Sequence, residues 1–144
     1  MAVILSAADS LTRRLPKLLS PKAHAAADYL TAGIFFAASA LFLRTHRRAA
    51  LGAAACGGLK LISSALTDYD GDGSNLISLP LHSKAADFGI AALSATMPEL
   101  LGFNEGGPRR FFVAQAVAMT AMTNLTDFNA DSSRRRATRL RRRA

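Results

Sequence analysis

The chain has 144 residues, of which 50% are hydrophobic and only 19% charged, and its formal net charge is +8. This length suits one domain of ordinary size, and the single cysteine, Cys56, excludes an intramolecular disulfide. Most basic residues lie near the two ends of the chain, so the tails make the protein basic and the middle carries little charge.

Residues 1–20 form a basic N-terminal segment, MAVILSAADSLTRRLPKLLS. Its apolar part precedes its basic part, which is the reverse of a secretory signal, so we expect no cleaved signal peptide. The stretch SLTRRLPKLL alternates basic and leucine-rich positions. This amphipathic pattern is typical of a short helix that lies on a membrane surface, with Pro16 interrupting it.

Four hydrophobic segments predict four helices, at about 22–43, 49–67, 81–102 and 109–127. No charged residue occurs within residues 29–43 or 111–126. A helix on the outside of a soluble bundle needs a polar stripe at the 3.6-residue period, and these two stretches cannot supply one. We therefore expect an all-α bundle of four transmembrane helices. A soluble helical bundle is the alternative, because a spanning helix needs about 20 apolar residues and the uncharged runs are shorter.

The chain repeats itself at a spacing of 59 residues. PKAHAAADYLTA at 21–32 aligns with PLHSKAADFGIA at 80–91, and LTDYDGD at 66–72 aligns with LTDFNAD at 125–131. Self-similarity at a fixed spacing indicates repeated structural units. The sequence therefore predicts two tandem helical hairpins of parallel topology, residues 21–72 and 80–131, related by a pseudo-twofold axis along the membrane normal.

The segment between the two hairpins resembles the start of a calcium loop. Asp68, Asp70, Asp72 and Gly73 follow the EF-hand order, but the twelfth loop position, where a bidentate glutamate belongs, is Leu79. The second copy of the repeat also lacks the glycine. We interpret the loop as a solvated turn between hairpins and expect no metal there.

Several polar residues fall inside or next to the apolar segments. Asp28 lies seven residues beyond Pro21, about 10 Å along a helix axis, and Lys60 lies about 9 Å from Leu66 on a returning helix. These matching depths predict a Lys60–Asp28 or a Lys60–Asp87 pair. A charge in hydrocarbon faces a partner or a water-filled cavity. The candidate polar cluster, gathered at one membrane face, comprises Asp28, Lys60, Asp68, Asp87, Asp127, His24 and His82.

This cluster has two interpretations. It could lock the two hairpins together through interhelical hydrogen bonds, or it could form a proton or ion path. Both copies of the repeat keep the aspartate, at Asp28 and Asp87, but only the first copy has a lysine. The asymmetry favours the structural interpretation. His24 and His82 lie one residue out of register, which disfavours a symmetric metal or haem pair.

The orientation in a membrane follows from the basic residues near the helix ends. Twelve belong to the tails and the central loop, and five belong to the two short loops, Arg44, Arg47, Arg48, Arg109 and Arg110. The positive-inside rule then places both termini in the cytoplasm.

The motifs together resemble the SPW-repeat family, small bacterial membrane proteins with four predicted helices. The resemblance rests on the H-x3-D start, the LTDY hairpin end, the duplicated two-helix unit and P-x-L-L-G-F late in the third segment. Pro98, Gly102 and Phe103 match the family's P-W-x-x-G-F piece, with Glu99 at the tryptophan position and Met97 at the preceding serine. It covers about residues 20–130 and implies a four-helix protein of the bacterial inner membrane, with no established activity.

The remaining patterns bear on function. The sequence has no Ser-His-Asp ordering, no glycine-rich phosphate loop and no Cys/His metal cluster, so we expect neither an enzyme nor a cofactor. We expect a non-catalytic accessory or structural subunit that packs against itself or a larger membrane complex. The alternative is a small ion or proton transporter or channel.

The C-terminal tail, residues 132–144, is rich in arginine. Such a tail suits contact with anionic lipid headgroups or an acidic partner protein, and a membrane anchor disfavours nucleic acid as its ligand. The arginines that would make this contact are Arg134, Arg135, Arg136, Arg139, Arg141, Arg142 and Arg143.

Overall fold

The computed structural model describes residues 19–67, 84–104 and 106–126, and this part of the chain forms four α-helices. The all-α fold class is therefore confirmed. The helices are α1 (Pro21–Phe42), α2 (Arg47–Leu66), α3 (Lys84–Leu101) and α4 (Gly106–Leu125).

Local sequence signals set several of the helix ends. At the start of α1, the hydroxyl of Ser20 accepts a hydrogen bond from the backbone N–H of Ala23 at 3.3 Å, and Pro21 occupies the first helical position. At the end of α3, Gly102 adopts φ +67°, a left-handed conformation that terminates helices. The N–H of Phe103 then bonds to the carbonyl of Pro98 at 2.9 Å. The helices α2 and α4 begin two and three residues earlier than the sequence predicts.

The 59-residue spacing of the sequence repeat recurs in the helix bounds. It separates α4 from α2 at both ends, and it separates the end of α3 from the end of α1. In several pairs of residues at this spacing, both members are buried: Ala32 and Ala91, Ala38 and Met97, Ala49 and Pro108, Ala53 and Phe112, Gly57 and Ala116, Lys60 and Met119, and Ser64 and Thr123. The two halves of the chain thus turn equivalent positions toward the interior.

The helices pack mainly in consecutive pairs, α1 against α2 and α3 against α4, and α2 also contacts α3. Close approach within the first pair depends on Gly57, where a Cβ atom would lie 3.0 Å from the Cβ of Phe35. Phenylalanine rings fill the core toward one end of the bundle. The rings of Phe35 and Phe111 meet edge to face at 5.5 Å, and those of Phe103 and Phe112 lie 5.3 Å apart.

The outward surface of the helices is apolar over much of its length. Two helical segments, Ala23–Phe42 and Arg47–Leu66, are long and apolar enough to cross a membrane, judged by length and composition alone. Among the described residues, α3 and α4 do not pass the same test. Large apolar side chains are nevertheless exposed on all four helices: Tyr29, Leu30, Ile34, Phe36, Leu41, Leu51, Leu59, Leu61, Ile62, Leu100, Val113 and Val117.

Candidate functional site

Four ionisable side chains meet inside the bundle, and we call this group the tetrad: His24, Asp28, Lys60 and Asp87. His24 and Asp28 lie one turn apart on α1, Lys60 lies on α2 and Asp87 lies on α3. The side chains of His24 and Lys60 are each 2% exposed, that of Asp28 is 5% exposed and that of Asp87 is 13% exposed. Charges so deeply buried must be paired to be tolerated.

Lys60 is the centre of the tetrad. Its Nζ atom lies 2.7 Å from Oδ1 of Asp28 and 2.7 Å from Oδ1 of Asp87. The sequence predicts one pair or the other, whereas the structure has both at once. One ammonium group therefore binds one carboxylate from each half of the chain, and both are at the distance of a charge-assisted hydrogen bond.

His24 connects the tetrad to the end of α4. Its Nδ1 atom lies 2.8 Å from Oγ1 of Thr126, and the Thr126 hydroxyl donates its single hydrogen to the carbonyl of Met122 at 2.8 Å. Because that hydrogen is used, Nδ1 of His24 is the donor to Thr126. Its Nε2 atom faces Oδ2 of Asp87 at 3.1 Å and Oδ2 of Asp28 at 3.4 Å.

A hydrogen is needed between Nε2 of His24 and Oδ2 of Asp87 to make their 3.1 Å contact a hydrogen bond. Whether this proton belongs to the imidazole or to the carboxyl group, the four side chains then sum to zero charge. A neutral network with short contacts is the arrangement that makes a buried charged group tolerable. The tetrad is thus a charge-balanced link between α1, α2 and α3.

The tetrad also has the residue types of a metal site. Ligand atoms of His24, Asp28 and Asp87 lie within 4.8 Å of one another. The ammonium of Lys60, however, contacts both carboxylates at 2.7 Å and supplies the positive charge that an ion would bring. Within the described part of the chain, every buried side-chain nitrogen and oxygen has a hydrogen-bond partner.

A cleft of about 240 Å³ opens beside this end of the bundle, between α2 and α3. It is lined by apolar side chains together with two hydroxyl groups, those of Ser63 and Thr67. No ionisable group contributes to its lining. The cleft is therefore an apolar surface feature that offers no charged route to the tetrad.

The structure brings together four of the seven residues of the predicted polar cluster, namely His24, Asp28, Lys60 and Asp87. The other three, Asp68, Asp127 and His82, lie outside the described residues, as do the aspartate-rich loop and the C-terminal arginines. Sequence reasoning missed Thr126, which is fully buried against His24. The repeated Leu-Thr-Asp motif contained the signal, because Thr67 occupies the equivalent position in the first half.

Comparisons of the chain with protein-family models, with curated proteins and with solved structures found no match. The resemblance to the SPW-repeat family thus rests on the motifs quoted above, and membership stays a prediction.

Proposed function

We propose that this chain is a small integral membrane protein in which all four helices span the bilayer and that it acts as a non-catalytic structural or accessory subunit. The distribution of charge carries the proposal. Within the described helices, the charged side chains of Asp28, Lys60 and Asp87 point inward and are paired, whereas the exposed charged side chains, Glu99 and the arginines of α2 and α4, lie near the ends of their helices. Soluble proteins place their charges outward, whereas ionisable groups in membrane spans face the bundle interior.

The outward side chains support the same conclusion. Leu41 is 77% exposed, Leu51 68% and Leu30 66%, and many other large apolar side chains are exposed with them. In water a continuous apolar surface of this kind promotes association, whereas acyl chains solvate it. The helices have 18 to 22 residues, so each extends about 27 to 33 Å, close to the thickness of a bilayer's hydrocarbon core.

The tetrad explains how such a protein holds its helices together. Lipid provides little hydrophobic drive for one helix to bury itself against another, so packing and interhelical polar contacts must hold the bundle. Lys60 bonds to a carboxylate from each half of the chain, and His24 extends the network to Thr126 at the end of α4. A satisfied network of this kind is suited to assembly and leaves no group free to act on a substrate.

The proposed partner is a second copy of the chain or a larger membrane complex, with both termini in the cytoplasm. The exposed apolar helix faces would contact that partner as well as lipid. A surface that carries apolar side chains over its length and charged groups at its ends supports the accessory role.

Proton or ion transport is the second candidate, and one observation favours it. His24 and Asp87, two groups that can each bind a proton, are in contact inside the bundle, with Nε2 3.1 Å from Oδ2. A transporter must also connect such a proton to both aqueous sides. Proton flux into vesicles containing the purified protein, measured against protein-free vesicles, separates the two functions.

The membrane assignment is tested by extracting isolated membranes with alkaline carbonate, since an integral protein stays in the pellet. Recovery in the soluble fraction would refute it. The accessory role is tested by purification in a mild detergent followed by mass measurement of the intact assembly. We expect a mass above that of one chain; a monomer that conducts protons in vesicles would refute the accessory role.

A further inference from the structure

The end of the bundle far from the tetrad carries a concentration of positive charge, which we call the basic end. It comprises the loop between α1 and α2 and the first turns of α2 and α4. Its five arginines are all exposed: Arg44, Arg47, Arg48, Arg109 and Arg110. From the sequence, these residues predict only the orientation of the chain in a membrane. In the structure they all lie at one end of the bundle.

Contacts beneath the arginines bring the four helix ends together. The Phe42 ring at the end of α1 lies 5.8 Å from Phe111 at the start of α4 and 6.4 Å from His46 before α2. Arg48 reaches across to the end of α3, where its Nη1 donates to the carbonyl of Leu101 at 3.4 Å. The arginines of both loops therefore lie at the same end of the bundle.

This positive charge has little compensation within the described residues. Neither α2 nor α4 has an acidic residue in its first turn, although the start of a helix carries partial positive charge that disfavours arginine there. Two acidic residues lie near this end, Glu99 in the last turn of α3 and Glu105, which directly precedes α4 in the sequence, so the five arginines outnumber the carboxylates. Within the described residues the ion pairs all belong to the tetrad. An external anion would relieve the repulsion.

The side chains next to the arginines indicate what kind of anion fits. Several of the most exposed apolar side chains lie within about two turns of the basic end: Leu41 (77%), Leu43 (55%), Leu51 (68%) and Leu100 (65%). A ligand that joins a phosphate group to a hydrocarbon chain could contact the arginines through the phosphate and the exposed leucines through the chain. A free inorganic anion would use the arginines alone and leave the leucines uncovered.

We propose that the basic end is a binding surface for anionic phospholipid, with the arginines on the headgroup phosphate and the exposed leucines along the acyl chain. This inference rests on the proposed membrane location. The planar guanidinium group of arginine matches phosphate geometry through two parallel hydrogen bonds. The bound lipids would belong to the leaflet at the loop end of the bundle, opposite the leaflet of the two termini.

The test is a titration of the detergent-purified full chain with phosphatidylglycerol, with bound lipid counted by native mass spectrometry. Each basic residue near a membrane surface contributes about 1 kcal/mol, so Arg47→Gln with Arg110→Gln should weaken phosphatidylglycerol binding roughly thirtyfold. The matched control is Lys22→Gln with Lys84→Gln, which removes the same charge from the starts of α1 and α3, at the opposite end of the bundle. Arg48 is left intact because it contacts α3.

We expect the wild type to prefer phosphatidylglycerol to zwitterionic phosphatidylcholine, and the control to keep most of that preference. Equal loss in both double variants would overturn the site, as would equal binding of the two lipids. Inorganic phosphate that displaces phosphatidylglycerol at millimolar concentration would overturn the choice of lipid. Carbonate extraction of the same variants tests membrane integration separately, since the site can fail while the protein stays in the pellet.

Discussion

The two halves of the chain bury equivalent positions, but at one of these positions the first half has a charged side chain and the second half has an apolar one. Lys60 on α2 and Met119 on α4 are 59 residues apart, and both are almost fully buried. Met119 packs in the apolar core, whereas Lys60 binds Asp28 and Asp87. The position therefore accepts an unbranched apolar side chain in this fold. The lysine is needed because two carboxylates meet beside it, and a single cation placed between them serves both halves.

The largest effect predicted by this comparison is that of Lys60→Met, which gives the first half the residue of the second. It leaves two buried carboxylates without their cation, and removing one partner of a buried ion pair costs about 3–5 kcal/mol. We expect a loss of that size in the free energy of unfolding, measured by denaturant titration in detergent micelles.

A triple variant separates charge from packing at the same site. When Asp28→Asn and Asp87→Asn are added to Lys60→Met, the uncompensated charge disappears and we expect more than half of the loss to be recovered. Met119→Leu is the control in the other half and should cost less than about 1.5 kcal/mol. If Lys60→Met alone were as mild as Met119→Leu, the tetrad would not hold the bundle together.

The second effect concerns His24, which joins Asp87 to Thr126. His24→Leu removes both hydrogen bonds and leaves buried polar groups unpaired, so we expect a loss of about 2–3 kcal/mol. His46 is the matched control, because it is exposed and makes no capping hydrogen bond with its side chain. His46→Leu should change stability by less than about 0.5 kcal/mol. Equal melting temperatures of the two variants in one detergent would contradict this prediction.

A smaller effect distinguishes two buried threonines of α4 and its C-terminal end. Each hydroxyl donates to the carbonyl four residues earlier, Thr120 to Ala116 and Thr126 to Met122. Thr126 also accepts from the buried His24 and is 0% exposed. Thr126→Val leaves Nδ1 of His24 unpaired and should therefore destabilise the protein by about 1–2 kcal/mol, and more than Thr120→Val. The reverse order in thermal unfolding would show that the bond to His24 contributes little.

The smallest effect tests the close approach of α1 and α2. A Cβ at Gly57 would meet Phe35 at 3.0 Å and the carbonyl of Ala32 at 3.3 Å, whereas one at Gly58 would meet nothing within 4 Å. Gly58→Ala should raise stability by up to about 1 kcal/mol through helix propensity. Gly57→Ala should fall below it by about 1–2 kcal/mol, because the two helices must move apart. Equal gains for both variants in thermal unfolding would mean that this contact is loose.

Much of the fold could be predicted from the sequence, because long uncharged runs and a gapless repeat specify helices directly. The end of α3 lies within one residue of its prediction, and the depths of Asp28 and Lys60 anticipate their pairing. Axial depth alone does not fix the rotation of a helix about its axis. The sequence therefore could not show that Lys60 bonds to both aspartates at once.

Other features depend on how the helices meet and were missed for that reason. The second half of the chain has no histidine at the position equivalent to His24, and only the packing of the helices brings His24 against Asp87 and Thr126. The basic end likewise depends on the convergence of two loops that are some 60 residues apart in the chain. That the four helices span a membrane is a proposal based on their length, their surface and the buried tetrad.

The central claim is that the outer faces of the four helices contact lipid, whereas the charged side chains of the tetrad are buried inside the bundle. It is tested most directly by attaching a nitroxide spin label at Ile34 on α1 and at Val117 on α4, in a Cys56→Ala background, in reconstituted vesicles. We predict that oxygen reaches both labels better than a water-soluble nickel chelate does, and that a label at Arg47 shows the reverse. A nickel chelate that reaches Val117 as readily as Arg47 would contradict the account.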